Sequence, residues 1–116
     1  MKIGVLPGDD IGYEVVPETV KVLTAAASRT GLDVEWINLT IGKEGHEKHG
    51  DTTPDVTVEA LKETDGWILG PIGHSAYPRN DPTWIMPPIR KLFDLYASVK
   101  PVKSYPNIPS VHKGVD

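Results

Sequence analysis

Short apolar runs bounded by glycine and proline alternate with longer segments in which apolar residues recur every three or four positions. The run Ile3-Gly4-Val5-Leu6, ended by Pro7-Gly8, predicts a buried strand over 3–6. Over 13–30, Val16, Val20, Leu23 and Ala27 fall on one side of a helix, and Gly31 supplies its stop. Pro17 is placed near the first turn of that helix, where a missing N–H is tolerated. Residues 33–40 alternate, with Val34, Trp36 and Asn38 on one side and Glu35, Ile37 and Leu39 on the other. This predicts a strand whose inner face is not assigned. The polar, glycine-bounded stretch 42–50 predicts a short helix or a loop. A helix follows over 54–63, with Val58 and Leu61 as its apolar positions and Asp51, Thr52 or Thr53 near its cap. Residues 66–69 predict another buried strand, closed by Gly70-Pro71. A long loop covers 72–83. Pro87-Pro88 then opens a helix whose apolar face is Ile89, Leu92, Phe93 and Tyr96. Residues 96–103 predict a strand leaving that helix, and 104–116, with Pro106 and Pro109, a loop.

Strands alternating with helices predict an α/β fold, a mainly parallel open sheet with flanking helices. At 116 residues the chain has the length of one small domain. A net charge of −4 without a basic stripe argues against a nucleic-acid partner. No apolar stretch has the length of a membrane span, and the N-terminus lacks the pattern of a signal peptide. The absence of cysteine excludes disulfides and thiolate metal sites, and a cytoplasmic location is expected.

The segment Pro7-Gly8-Asp9-Asp10-Ile11-Gly12 joins a strand to a helix, the place where open α/β sheets bind ligands. Its glycines are spaced G-x-x-x-G rather than G-x-G-x-x-G. Two carboxylates would also repel a pyrophosphate at this helix start. Taken alone, the loop is a tight turn, with glycines for unusual φ and aspartates for capping. His46 and His49, in His46-Glu47-Lys48-His49, stand three apart rather than four, and their charged neighbours read as a solvated face rather than a zinc site.

The entry loop resembles the PGDGIGPE segment of the metal-dependent β-decarboxylating dehydrogenases, which act on isocitrate, 3-isopropylmalate, tartrate and malate. Arg90-Lys91-Leu92-Phe93-Asp94-Leu95-Tyr96-Ala97-Ser98-Val99-Lys100-Pro101-Val102-Lys103 resembles their LRKELDLYANLRPVR segment, and Gly70-Pro71-Ile72-Gly73-His74 their nicotinamide-facing loop. Where the family usually has glycine and proline, this chain has Asp10 and Tyr13. If the glycine position needs positive φ, aspartate is a tolerated substitute.

The resemblance implies the incomplete N-terminal part of the isopropylmalate-dehydrogenase-like fold. Residues 1–99 then belong to the first α/β domain and 100–116 begin a truncated second one. It implies NAD or NADP as cofactor, contacted by Ile11, Ile72, Gly73, His74 and Thr83. It also implies Mg²⁺ or Mn²⁺, bound by residues outside this chain. Arg90 and Lys100 would hold the carboxylates of a small-molecule 2-hydroxy acid, since Arg grips a carboxylate with a bidentate fork. The plainer alternative for Arg90 is a surface pair with Asp94. Lys100 stands where the family has arginine and keeps the charge without the planar fork. Met86, with Trp84 and Ile85, favours an apolar or short substrate tail; alternatively all three pack at a domain edge. No catalytic residue is assigned within the chain, because the family's general acid, general base and metal-binding aspartates lie further on. The chain is therefore expected to be an inactive N-terminal piece of an oxidoreductase whose full-length form is a homodimer. The rival expectation is a stand-alone α/β binding or interaction module without catalysis.

Overall fold

Two apolar runs and the alternating stretch pair into one sheet. The computed structural model describes residues 1–116 apart from His74, Ala76, Ser110, Lys113 and Asp116. The elements are β1 (Lys2–Leu6), α1 (Gly12–Thr30), β2 (Glu35–Asn38), α2 (Lys43–His49), α3 (Asp55–Lys62), β3 (Gly66–Leu69) and α4 (Ile89–Leu92). The strand order is β2-β1-β3, and both pairings are parallel, with Ile3 opposite Trp36 on one side and Gly66 on the other. The class is the parallel α/β arrangement that the alternation predicts.

The sheet is covered on both faces. On one, Leu6 packs with Ile41, Leu61 and Ile89, and Leu39, Trp67, Ile72 and Phe93 lean on this cluster. On the other, Ile3, Trp36 and Ile68 face Leu23 and Ala27 of α1 across an apolar cleft of about 320 Å³. A central parallel sheet with helices on both sides gives its strands no polar face. That is why 33–40 offers no single inner face: Trp36 looks into the cleft while Leu39 leans on the core.

Several local expectations are corrected. Pro17 is the sixth residue of α1, not part of its first turn, so the carbonyl of Tyr13 lacks its helical N–H partner. The apolar face of α1 buries only Val16 fully, and Leu23 remains 41% exposed. The stretch 42–50 resolves as a helix, stopped by Gly50 at φ 77°. The N-cap of α3 is Pro54, with no side-chain cap; Thr52 instead donates to the Ile85 carbonyl at 2.7 Å, and Asp51 accepts the Thr53 N–H. The last helix is one turn long. Asp94 at φ 49° closes it, the Leu95 N–H bonding back to the Arg90 carbonyl and that of Asp94 to Lys91, the Schellman pattern that glycine usually serves. Tyr96 is consequently off the apolar face and 98% exposed, and no strand forms over 96–103 among the described residues.

Candidate functional site

The C-terminal ends of β1, β2 and β3 lie side by side, and the loops leaving them meet there. In the order 2-1-3 this edge is where open parallel sheets place ligands. Here the gap between β1 and β3 is filled by backbone. The Asp9 N–H donates to the Pro71 carbonyl at 2.8 Å. A Cβ on Gly12 or Gly70 would strike the Pro7 carbonyl oxygen, and one on Gly8 that of Pro71. Glycine is required at these positions because two chains approach without room for a side chain.

Asp9 is the hub of this edge. It is 4% exposed. Its Oδ1 accepts the Lys43 N–H at the start of α2, at 2.8 Å. Its Oδ2 accepts the Gly73 N–H at 2.8 Å and the Tyr77 hydroxyl at 2.6 Å. Burial, then the bond to Asp9 and its charge, push the Tyr77 phenol well above the usual tyrosine range. Three hydrogen bonds to one carboxylate offset the cost of burying its charge.

A second cluster extends from Tyr77. Its ring meets Trp84 edge-on at 5.2 Å, and Trp84 stacks on His46 of α2 at 4.0 Å. His46 Nε2 lies 2.8 Å from the Thr83 hydroxyl, which donates to Asp81 at 2.6 Å. The single hydroxyl proton of Thr83 is thus committed to Asp81, so its oxygen accepts from His46 Nε2–H. The Thr83 hydroxyl, and then its N–H, hold the Asp81 carboxyl below the usual carboxylate range. Tyr13 donates to Glu44 at 3.3 Å, joining α1 to α2; burial, then the Glu44 charge, raise its phenol.

The sequence-predicted residues are distributed as follows. Ile11 is the exposed N-cap of α1, and Asp10 beside it adopts φ 49°, so this position does take the left-handed conformation. Ile72 leans on the core, and the Gly73 N–H is spent on Asp9. His74 lies outside the described residues. Thr83 belongs to the His46 cluster. Met86 and Ile85 are exposed, at 59% and 51%. Arg90 is exposed on α4 and makes no ion pair or side-chain hydrogen bond among the described residues. The pairing with Asp94 is absent because the helix ends at Leu92. Lys100 is exposed in an irregular segment.

Sequence reasoning missed Asp9 as a hub, and missed His46, Tyr77 and Trp84 altogether as a cluster. The contacts of Asp9 span 34, 64 and 68 positions, which no local pattern displays. The usable signal was glycine at Gly42 and Gly73, where the carboxylates come close.

The donor set suits one part of a dinucleotide only. Exposed Ile11 can lie against a ring, but Gly73 offers no spare N–H, and Asp9 and Asp10 disfavour a pyrophosphate. Among the described residues no three His, Asp or Glu side chains group as a metal site, so these residues do not by themselves hold a divalent ion.

The profile described as isocitrate/isopropylmalate dehydrogenase matches residues 2–115. A 3-isopropylmalate dehydrogenase of Thiobacillus denitrificans is 38% identical over 114 residues, covering 95% of this chain and 32% of the relative. A 3-isopropylmalate/3-methylmalate dehydrogenase of Methanocaldococcus jannaschii is 33% identical, covering 99% and 32%. Among solved structures, a β-decarboxylating dehydrogenase of Thermococcus kodakarensis superposes with a TM-score of 0.67 at 26% identity, over 82% of this chain and 27% of that one. An isocitrate dehydrogenase of Methylococcus capsulatus gives 0.56 at 32% identity, over 69% and 22%. The chain spans about a third of the length of the curated relatives it matches.

Proposed function

Because the chain belongs to the isocitrate/isopropylmalate dehydrogenase family, we propose that it forms one wall of the active-site cleft of an NAD(P)⁺-dependent dehydrogenase that oxidises and decarboxylates a 2-hydroxy dicarboxylic acid. The cofactor accepts the hydride when bound. Ile11 and the Thr83 segment would lie against its nicotinamide end. Arg90 and Lys100 would hold substrate carboxylates. The observation that carries this is Arg90 itself: an exposed guanidinium with no carboxylate partner among the described residues, on a one-turn helix anchored by Ile89 in the core. Such a group suits an incoming carboxylate. Exposed Ile85 and Met86 cannot hydrogen-bond a third carboxylate, which favours 3-isopropylmalate, tartrate or malate over isocitrate. The metal and proton-transfer groups would come from parts of the relatives' length that this chain does not span, so the 116 residues alone should not turn over.

The test is an NMR titration of the 116-residue chain with 3-isopropylmalate and, separately, isocitrate. The Arg90 side-chain and Met86 methyl resonances should move more with 3-isopropylmalate, and the effect should vanish in Arg90→Ala. Indifference of both resonances to every dicarboxylate would overturn the substrate assignment. Steady NAD⁺ reduction by the chain alone, with Mg²⁺ present, would overturn the assignment of the missing chemistry to the rest of a longer protein.

A further inference from the structure

Resting on that reading, we infer that Asp9 is the positioning residue of the cleft wall. Its carboxylate clamps Gly73 and Tyr77 to α2, and through Tyr77 and Trp84 it sets the segment from Thr83 to Met86 that would face cofactor and substrate.

Five contacts close a circuit. Asp9 accepts the Lys43 N–H at the first residue of α2. One turn along α2, His46 stacks on Trp84 and bonds the Thr83 hydroxyl. Trp84 receives the edge of Tyr77, and the Tyr77 hydroxyl returns to Asp9. The circuit passes through the loops after β1 and β3 and through α2, which follows β2, and Asp9 is where it closes. The Ile85 carbonyl is pinned separately by Thr52, so the segment between Tyr77 and Met86 is held at both ends.

The carboxylate is needed, rather than a polar group in general. Two backbone N–H groups and a hydroxyl all donate, and only an ionised carboxylate accepts on both oxygens without donating. The carboxylate has no cationic partner among the described residues, and the phenols of Tyr13 and Tyr77 feel its charge. The surroundings are cut to admit it. A Cβ on Gly42, itself at φ 70°, would lie 2.5 Å from Oδ1, and a Cβ on Gly73 would lie 3.2 Å from the Asp9 Cβ. Alternatively, Asp9 could merely cap a short helix, but this leaves unexplained why Oδ2 takes two further donors from a different loop.

Among the described residues the Lys43 and Gly73 amides have only this side chain as acceptor, so their hydrogen exchange reports it directly. In the unmodified chain both should exchange roughly tenfold or more slowly than unbonded loop amides, the range expected for bonds to a charged acceptor. In Asp9→Asn, which keeps the shape but turns one acceptor into a donor, protection should fall at one or both amides. The Tyr77 ring and Trp84 indole resonances should shift as well, while the Leu39 and Gly70 amides, bonded to Val5 and Leu6, keep their protection. Tyr77→Phe should release Trp84 and leave Lys43 protected. Unprotected Lys43 and Gly73 in the unmodified chain would overturn the clamp whether or not Asp9→Asn folds. So would an Asp9→Asn chain with unmoved Tyr77 and Trp84, or one losing sheet and loop protection equally. None of these readings involves cofactor or substrate. A failed clamp therefore leaves the Arg90 titration standing, and a failed titration leaves the clamp standing.

Discussion

Gly42 and Gly50 share a left-handed φ, 70° and 77°, but not a reason for it. Beyond Gly50 nothing lies within 4 Å of a built Cβ, whereas at Gly42 that atom meets the Asp9 carboxylate. Gly50→Ala should therefore cost only the left-handed strain, about 1 kcal/mol. Gly42→Ala adds the displacement of a buried, hydrogen-bonded charge and should cost about 3 kcal/mol. Urea denaturation of the two variants checks the difference; equal midpoints would show that Asp9 yields without loss. Asp81 carries a pH prediction. The Thr83 hydroxyl and N–H favour its charged form, so its folded pKa lies below the unfolded one. The contribution is present above the ordinary carboxylate range and is lost as pH falls through the lowered value. Thr83→Val should bring the carboxyl back toward that range, and a carbon-13 titration of the Asp81 carboxyl reads it. An unchanged midpoint would mean that the hydroxyl bond does not persist in solution. At this scale much of the loop chemistry was legible: Asp10 does take the positive φ suspected of it, as an Asp can. Partners far along the chain were not legible, because Asp9 looks like any turn aspartate until Gly73 and Tyr77 are folded over it.

Elements were legible where their ends carry their own punctuation. β1 and β3 are apolar runs stopped by proline or glycine, β2 is the alternating stretch, and Gly31 ends α1 through its φ of 69°. The last helix was not, because Leu92, Phe93 and Tyr96 continue a helical spacing after the backbone has turned at Asp94. Periodicity shows which residues share a face if the helix continues; it does not show that it continues. The predicted strand over 96–103 failed for a related reason: among the described residues no neighbouring strand is there to receive its hydrogen bonds. The interior of α1 offers a sharper case. Pro17 removes the N–H that would bond the Tyr13 carbonyl, and its ring crowds that turn, at a cost near 3 kcal/mol relative to Ala. Pro17 is exposed, so its replacement loses no core contact. Pro17→Ala should stabilise the chain by about 2 kcal/mol, since the more flexible unfolded chain offsets up to about 1 kcal/mol of the gain. A rise in the urea midpoint without a change in slope is the expected result. No rise would mean that Pro17 itself helps to seat Val16 beside Gly70.

On the scale of the whole molecule, the radius of gyration is 16.7 Å, against about 13 Å for a compact chain of this length. The excess follows from what the three strands cannot cover. Few side chains are fully buried, while Tyr96, Val99 and Val111 project almost wholly into solvent. Among the described residues β2 and β3 each pair only with β1, leaving both outer edges of the sheet open. β2 carries Glu35 on its edge, but β3, Gly66-Trp67-Ile68-Leu69, has no charge to discourage pairing. The apolar cleft beneath α1 adds exposed surface of the same kind. The 116-residue chain should therefore melt weakly or associate with itself, its sedimentation coefficient rising with concentration. Leu69→Lys, at the exposed end of β3, should shift it toward monomer by placing a charge where a second strand would dock. Val22→Lys, on the exposed side of α1, serves as the control for added charge alone and should leave the distribution nearly unchanged. Equal effects of the two lysines would assign the association to net charge rather than to the edge of β3. A chain that stays monomeric over the whole concentration range and unfolds in one sharp calorimetric transition would show that three strands and these loops suffice for an independent fold.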